Sequence, residues 1–386
     1  MRRKLAAAIA VLCACTLLGG CWDIKNVADF NFVTALGIDY DDGKYTVYTE
    51  LMDYSVVGNE SQDGGSQERS KVWVGQGTGN TVYEAITELY RTVQQNLYWD
   101  HIMAIVLSDR VLKQDIRVSL DALGRFPQIR YTSWVYGTRE PIDKLFMSAS
   151  FINVSPIATL LHNPKALYQQ RSDIYPVRFL EVSANDGEPG QTDMIPSLGI
   201  TAKAWKDNDK KQPVLYIDGA YALKDGKADD YFENEQLKGL RWTQSGGKKL
   251  YLRIEKEGKT LGMVALFRPR KKVRVSSVGG KPAYAMDLGF TAIVEEAAAD
   301  VTLKEVETLA KSRIREEVLA TFEAGVREGA DIYGLEQAAY RQRNRLWKSA
   351  RSAPALAGAA PDERSLTSVN VAIRFLHTGA YDMRPE

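Results

Sequence analysis

All three cysteines of the chain, Cys13, Cys15 and Cys21, stand within its first 21 residues. If that stretch is a leader, nothing downstream can form a disulfide, and the rest must be held together by buried apolar surface alone. At 386 residues the chain is long enough for two or three modules, each with a real core. Its 45% apolar and 26% charged residues are those of a folded soluble protein, which excludes disordered and multi-span classes.

The N-terminus reads as an export signal. Arg2-Arg3-Lys4 precedes an apolar run at 5–18, then Gly19-Gly20 and Cys21. The run is too short for a bilayer span, which takes about 20 residues. Leu18-Gly19-Gly20-Cys21 resembles the lipobox of bacterial lipoproteins, so residues 1–20 are expected to be cleaved and the Cys21 sulfur to carry a diacylglyceryl group. Acyl chains anchor with about 0.8 kcal/mol per buried CH₂. No later segment reaches spanning length without charges, which places the body outside the cytoplasm. Fifty Lys and Arg stand against forty-nine Asp and Glu, and loss of Arg2, Arg3 and Lys4 leaves a net charge of −2. No overall basic field is available for nucleic acid.

Apolar periodicity divides the remainder. Residues 31–39 and 44–51 read as a hairpin around Asp41-Asp42-Gly43, with Tyr45, Val47, Thr49 and Leu51 on one face. The polar stretch 55–70 reads as a surface loop and 71–74 as a short strand. A helix is expected over 81–95, opened by a Thr81/Glu84 capping box and striped by Val82, Ala85, Ile86, Leu89, Tyr90 and Val93. A buried strand at 102–107, helical material at 108–126 and a strand at 133–137 make the first module mixed α/β. Residues 152–171 read as helix on both sides of Asn163-Pro164, and 185–191 as a loop and hinge.

Strands follow at 198–205 and 214–223, then at 249–254, 260–267, 272–277 and 283–294. Helices are expected at 302–328, striped by Ile314, Val318, Leu319, Phe322 and Val326, and at 334–348. An Ala/Pro/Gly linker at 353–361 precedes a last strand at 367–376. The fold class is α+β, multi-domain, with mixed or antiparallel sheets and long C-terminal helices. The divisions read as a 1–20 signal peptide, a 21–197 α/β domain, a 198–240 middle segment and a 241–386 α+β domain. No internal repeat is evident.

Chemistry-bearing motifs are sparse. Gly75-Gln76-Gly77-Thr78-Gly79, between a strand and a helix, has the form of a phosphate-cradling loop, but Asn80 stands where a dinucleotide fingerprint wants glycine. The reading there is a tight turn. His101, His162 and His377 lack partners at metal-ligand spacing, and no Gly-x-Ser-x-Gly elbow occurs. No catalytic, cofactor-binding or metal residues are assigned. Arg268, Arg270, Lys272 and Arg274 alternate, so one strand face could meet anionic lipid or an acidic partner; alternatively the charges guard an edge against pairing. Arg341, Arg343, Arg345 and Lys348 pose the same choice on a helix.

The residues after the lipobox resemble the Ger(x)C family, the lipoprotein C subunits of spore germinant receptors. The resemblance rests on Cys21-Trp22-Asp23, on Phe32-Val33-Thr34-Ala35-Leu36-Gly37-Ile38-Asp39, and on His101-Ile102-Met103-Ala104-Ile105-Val106-Leu107-Ser108. It continues through Asp218-Gly219-Ala220-Tyr221, Ala330-Asp331-Ile332-Tyr333-Gly334 and the closing strand, and so covers nearly the whole chain. The family has a longer acidic or aromatic segment before its final strand, where this chain has the 353–361 linker. What the resemblance implies is a non-enzymatic receptor subunit on the outer face of the spore inner membrane. It would act with integral-membrane A and B subunits and require no cofactor. A solute-binding lipoprotein serving a transporter is the alternative, and it predicts a cleft between lobes.

Overall fold

In the computed structural model, β1 (Asn31–Asp41) and β2 (Lys44–Met52) form the expected hairpin. Asp41 pairs with Lys44, so the turn is Asp42-Gly43. Both turn residues take positive φ (46° and 76°), which matches the strand twist. The structure describes residues 3–4, 31–52, 72–148, 158–244, 246, 248–298, 301–352 and 360–377. The signal sequence, Cys21, the 55–70 loop, residues 152–157 of the expected helix and nearly all of the 353–361 linker lie outside them.

β1 is buried from Val33 through Asp39 because it runs through the middle of a sheet covered on both faces. Parallel partners β5 (Ala104–Ser108), β6 (Trp134–Thr138) and β8 (Asp193–Asp207) continue the sheet on one side. β9 (Lys210–Lys224) and β10 (Lys227–Glu233) close it antiparallel, so strands from the 198–240 segment join the first sheet. On the other side β2 pairs with β3 (Val72–Gly79). Two short strands, β4 (Leu97–Tyr98) on β1 and β7 (Val177–Arg178) on β6, complete ten.

Several expectations change here. Gly75 to Gly79 is not a turn but the second half of β3, paired with Tyr45 to Thr49 of β2. Helix α1 (Val82–Leu89) buries Val82, Ala85, Ile86 and Leu89 as expected, yet stops six residues short of 95. The Thr92 hydroxyl donates to the Leu89 carbonyl, the kind of local bond that competes with helix. Thr81 caps α1 by accepting the Glu84 N–H, while Glu84 reaches Asn80 rather than Thr81. The stretch 108–126 is two helices, α2 (Asp109–Leu112) and α3 (Ile116–Gly124), separated because Asp115 caps the second. α4 (Ile142–Phe146) follows β6. Pro164 opens α5 (Pro164–Gln170) instead of interrupting a longer helix, as a proline at the first helical position does. β7 and α6 (Phe179–Asn185) were not legible in the sequence, being short and weakly periodic.

The second sheet has the order β11 (Leu250–Lys256), β12 (Lys259–Val278), β13 (Lys281–Ala297), β14 (Leu366–His377). The two strands expected at 260–267 and 272–277 are one, carried through Arg268-Pro269 by a bulge in which Arg268 takes φ 52°. β14 runs parallel to β13. Such pairing needs a crossover, supplied by α7 (Leu303–Arg327), α8 (Leu335–Gln342) and α9 (Asn344–Ser352). The single helix expected at 334–348 is broken at Arg343, whose φ of −139° is not helical. The architecture is α+β with two mixed sheets. One apolar cluster spans the modules, joining Met194, Ala220 and Phe232 to Trp242, Phe290 and Phe322.

The β1–α2 junction carries a titration signature. Asp39 is nearly buried; Arg110 of α2 donates Nε to its Oδ1 at 3.0 Å and a second N–H to Oδ2. Burial opposes the carboxylate, but Arg110, Ser108 and the Tyr40 N–H outweigh it and hold the pKa below the ordinary aspartate value. A depressed folded pKa stabilises above the unfolded pKa of about 4, and that stability is lost as pH falls through the folded value. Arg110→Met is therefore expected to cost about 1–2 kcal/mol at neutral pH, after allowance for the exposed arginine. It should also flatten the acid limb of a urea-midpoint against pH profile; parallel wild-type and variant profiles would refute this.

Candidate functional site

Beside the shared apolar cluster, the modules also meet along a seam of polar contacts. On one side lies the loop at 186–192, where Gly187 and Gly190 take positive φ (80° and 70°). A Cβ on Gly190 would stand 2.9 Å from Glu336 Cγ and 3.0 Å from its backbone carbon, so glycine lets the loop lie directly on α8. This segment, expected as a hinge, is packed against the C-terminal module.

A buried carboxylate, Glu336, fastens the seam. From β9, Lys224 Nζ donates to Glu336 Oε2 at 2.8 Å, and Trp347 of α9 donates to Oε1 at 3.2 Å. Asp331 lies beneath and accepts the Glu336 backbone N–H at 2.6 Å, which caps α8. Burial pushes the Asp331 carboxyl up against the pull of those backbone bonds. A 3₁₀ turn, Leu240–Trp242, docks on α7 through Glu317, which accepts from Arg241 at 3.0 Å and from Trp242 Nε1 at 2.8 Å.

Between these fastenings is a cavity of about 480 Å³, a size suited to a small molecule. Asp193, at the start of β8, lines one wall; its Oδ1 accepts from Asn185 and Gln191, each at 2.7 Å. Burial raises its pKa against those two bonds. Lys271 of β12 lines the opposite module's side and donates to the Tyr333 carbonyl at 3.1 Å. Lys271 is exposed as a residue, but desolvation of its ammonium lowers its pKa, partly offset by Asp331.

The residues singled out from the sequence lie elsewhere. Arg270, Lys272 and Arg274 are exposed on one face of β12, while Arg268 sits in the bulge, out of strict alternation. Arg274 is held by Asp287 at 2.8 and 2.9 Å. Arg341, Arg343, Arg345 and Lys348 are exposed across the α8–α9 break. The histidines are not brought together: His101 is exposed beside Asp100, His162 is buried 2.8 Å from Glu50, and His377 ends β14. Among the described residues no cluster of His, Cys, Asp or Glu could hold a metal ion. Gly77 and Gly79 serve packing, since a Cβ on either would meet α1 backbone within 2.6 Å.

Sequence reasoning missed Asp193 and Lys271. One signal for Lys271 existed: if Arg270, Lys272 and Arg274 face solvent, Lys271 shares the inner face with Val273 and Val275. Nothing local could pair it with a residue 78 positions earlier.

Comparison with known proteins covers both modules. Residues 23–200 match the family described as spore germination protein N-terminal domain, and residues 218–353 match spore germination B3/GerAC like, C-terminal. The chain is 23% identical over 372 residues to spore germination protein KC of Bacillus subtilis (strain 168), covering 90% of each. It is 23% identical over 238 residues to putative spore germination protein YfkR of the same organism, covering 61% of this chain and 60% of that one. The crystal structure of the GerBC protein superposes with a TM-score of 0.51 at 13% identity, covering 92% of this chain and 99% of that chain, a likeness of fold. With both family domains matched in order, the chain belongs to the GerAC-like, or Ger(x)C, family of spore germination proteins.

Proposed function

We propose that the chain is a lipid-anchored, non-enzymatic subunit of a nutrient germinant receptor on the outer face of the spore inner membrane. In this reading it works beside integral-membrane A and B subunits by protein contact. The observation that carries the reading is the pair of family matches over 23–353, beginning two residues after the Leu18-Gly19-Gly20-Cys21 lipobox. No helix among the described residues is long and apolar enough to cross a membrane. The diacylglyceryl group on Cys21 would then supply attachment, confining the body to two dimensions and raising its effective concentration near its partners.

Arg268, Arg270 and Lys272 fit this reading as contacts to anionic headgroups or an acidic partner surface, since none makes an ion pair among the described residues. Each such charge near an anionic bilayer is worth about 1 kcal/mol. The test of the anchor is a spore strain carrying Cys21→Ala. Most of the protein is expected to leave the membrane fraction, and nutrient-triggered germination to fall with it. Unchanged retention together with an unchanged nutrient response would overturn the proposal.

A further inference from the structure

We infer that the seam cavity is a binding site for a small zwitterion of the α-amino acid class, with its ammonium on Asp193 and its carboxylate on Lys271. The inference goes beyond the receptor reading, because it needs neither a lipid on Cys21 nor a partner subunit.

Three observations converge. First, the cavity walls carry one carboxylate and one ammonium from different modules, and among the described residues neither forms an ion pair. Asp193 Oδ1 is occupied by Asn185 and Gln191, whereas Oδ2 accepts no hydrogen bond from the described residues. Lys271 spends one N–H on the Tyr333 carbonyl and keeps two in reserve. Two opposite charges left apart in a partly desolvated space are costly, and a ligand carrying the complementary pair would neutralise both at once.

Second, the burial that raises the Asp193 pKa and lowers that of Lys271 penalises the charged form of each in the empty cavity. A bound zwitterion would reverse both shifts. Third, Thr192 lines the same cavity, is only 7% exposed, and has a buried hydroxyl with no hydrogen-bond partner. Such groups are rare in native proteins and call for an explanation. Met194 and Leu240 add apolar surface to the lining, which suits a ligand with an uncharged apolar side chain.

The test uses the full chain in detergent, titrated by calorimetry with L-leucine and L-methionine. L-leucinamide, which lacks the carboxylate, and N-acetyl-L-leucine, which lacks the ammonium, serve as probes of each end. At least one parent amino acid is expected to bind with a dissociation constant of about 1 mM or tighter, and both blocked forms about tenfold more weakly. Asp193→Asn and Lys271→Met are each expected to weaken the parent ligand about tenfold. Asparagine keeps the shape of the half-buried acid and removes a charge that burial opposes; Lys271 is an exposed residue, so its variant tests the site even if the first fails to fold. The Cys21→Ala protein is expected to bind as wild type, which separates this proposal from the anchoring one. Absence of saturable binding up to about 10 mM, or blocked forms binding as well as their parents, would overturn the inference. So would wild-type affinity in both wall variants.

Discussion

Replacing Gly77 with alanine is expected to destabilise the N-terminal module by about 2–4 kcal/mol, enough to lower its melting temperature by about 5–10 °C. The new Cβ would lie 2.2 Å from the Ala85 carbonyl oxygen and 3.2 Å from the Leu89 nitrogen. Those are backbone atoms of α1, which cannot rotate aside as a side chain would. The helix would have to lift from β3, loosening the contacts of Ala85, Ile86 and Leu89, which are nearly inaccessible to solvent. Gln76→Ala is the control: Gln76 is exposed on the other face of the strand, and its loss should stay within about 0.5 kcal/mol. A Gly77→Ala protein that melts with wild type would show that α1 does not rest on β3.

Glu317→Ala is expected to cost about 3–4 kcal/mol, because it strands the largely buried cation of Arg241. Glu317 is 7% exposed, and its Oε2 accepts both the Arg241 guanidinium and the Trp242 indole N–H. Without it, Arg241 keeps, among the described residues, Asp173 at 3.9 Å and the face of Trp242 at 4.4 Å. Glu317→Gln retains an acceptor and should lose about 1–2 kcal/mol. Adding Arg241→Leu to the alanine variant should recover part of the loss, since the charges then left without Glu317 or Arg241, Arg313 and Asp173, are exposed. Thermal midpoints of the three proteins decide the matter; equal midpoints would mean that Glu317 does not hold the 3₁₀ turn to α7.

These two sites differ in how far they could be foreseen. Glycines at 75, 77 and 79 were visible, and their alternation is the period of a strand face. The residues that require them to be glycine, Ala85 and Leu89, belong to a helix whose approach distance no local pattern encodes. Glu317 fell within the helix expected at 302–328, but one glutamate among several in that stretch, with Glu316 beside it, carries no mark that distinguishes a clamp from a solvated face. The Arg241–Trp242 pair that it holds is 76 and 75 residues away.

Local rules sufficed wherever one element's own periodicity or cap decided its form. The hairpin around Asp42-Gly43, the buried strand expected at 102–107 and the long helix expected at 302–328 were all readable as chemistry between near neighbours. The α+β class and the family resemblance were readable too, and the family matches agree with the latter. Long-range packing decided the rest. It carried β12 unbroken through Arg268-Pro269, broke the last helix at Arg343, and merged residues from both modules into one core. It also set Asp193 and Lys271 on the walls of one cavity. Side chains brought together by tertiary contact have no fixed sequence spacing, so a pattern of periods and caps holds no record of which of them meet.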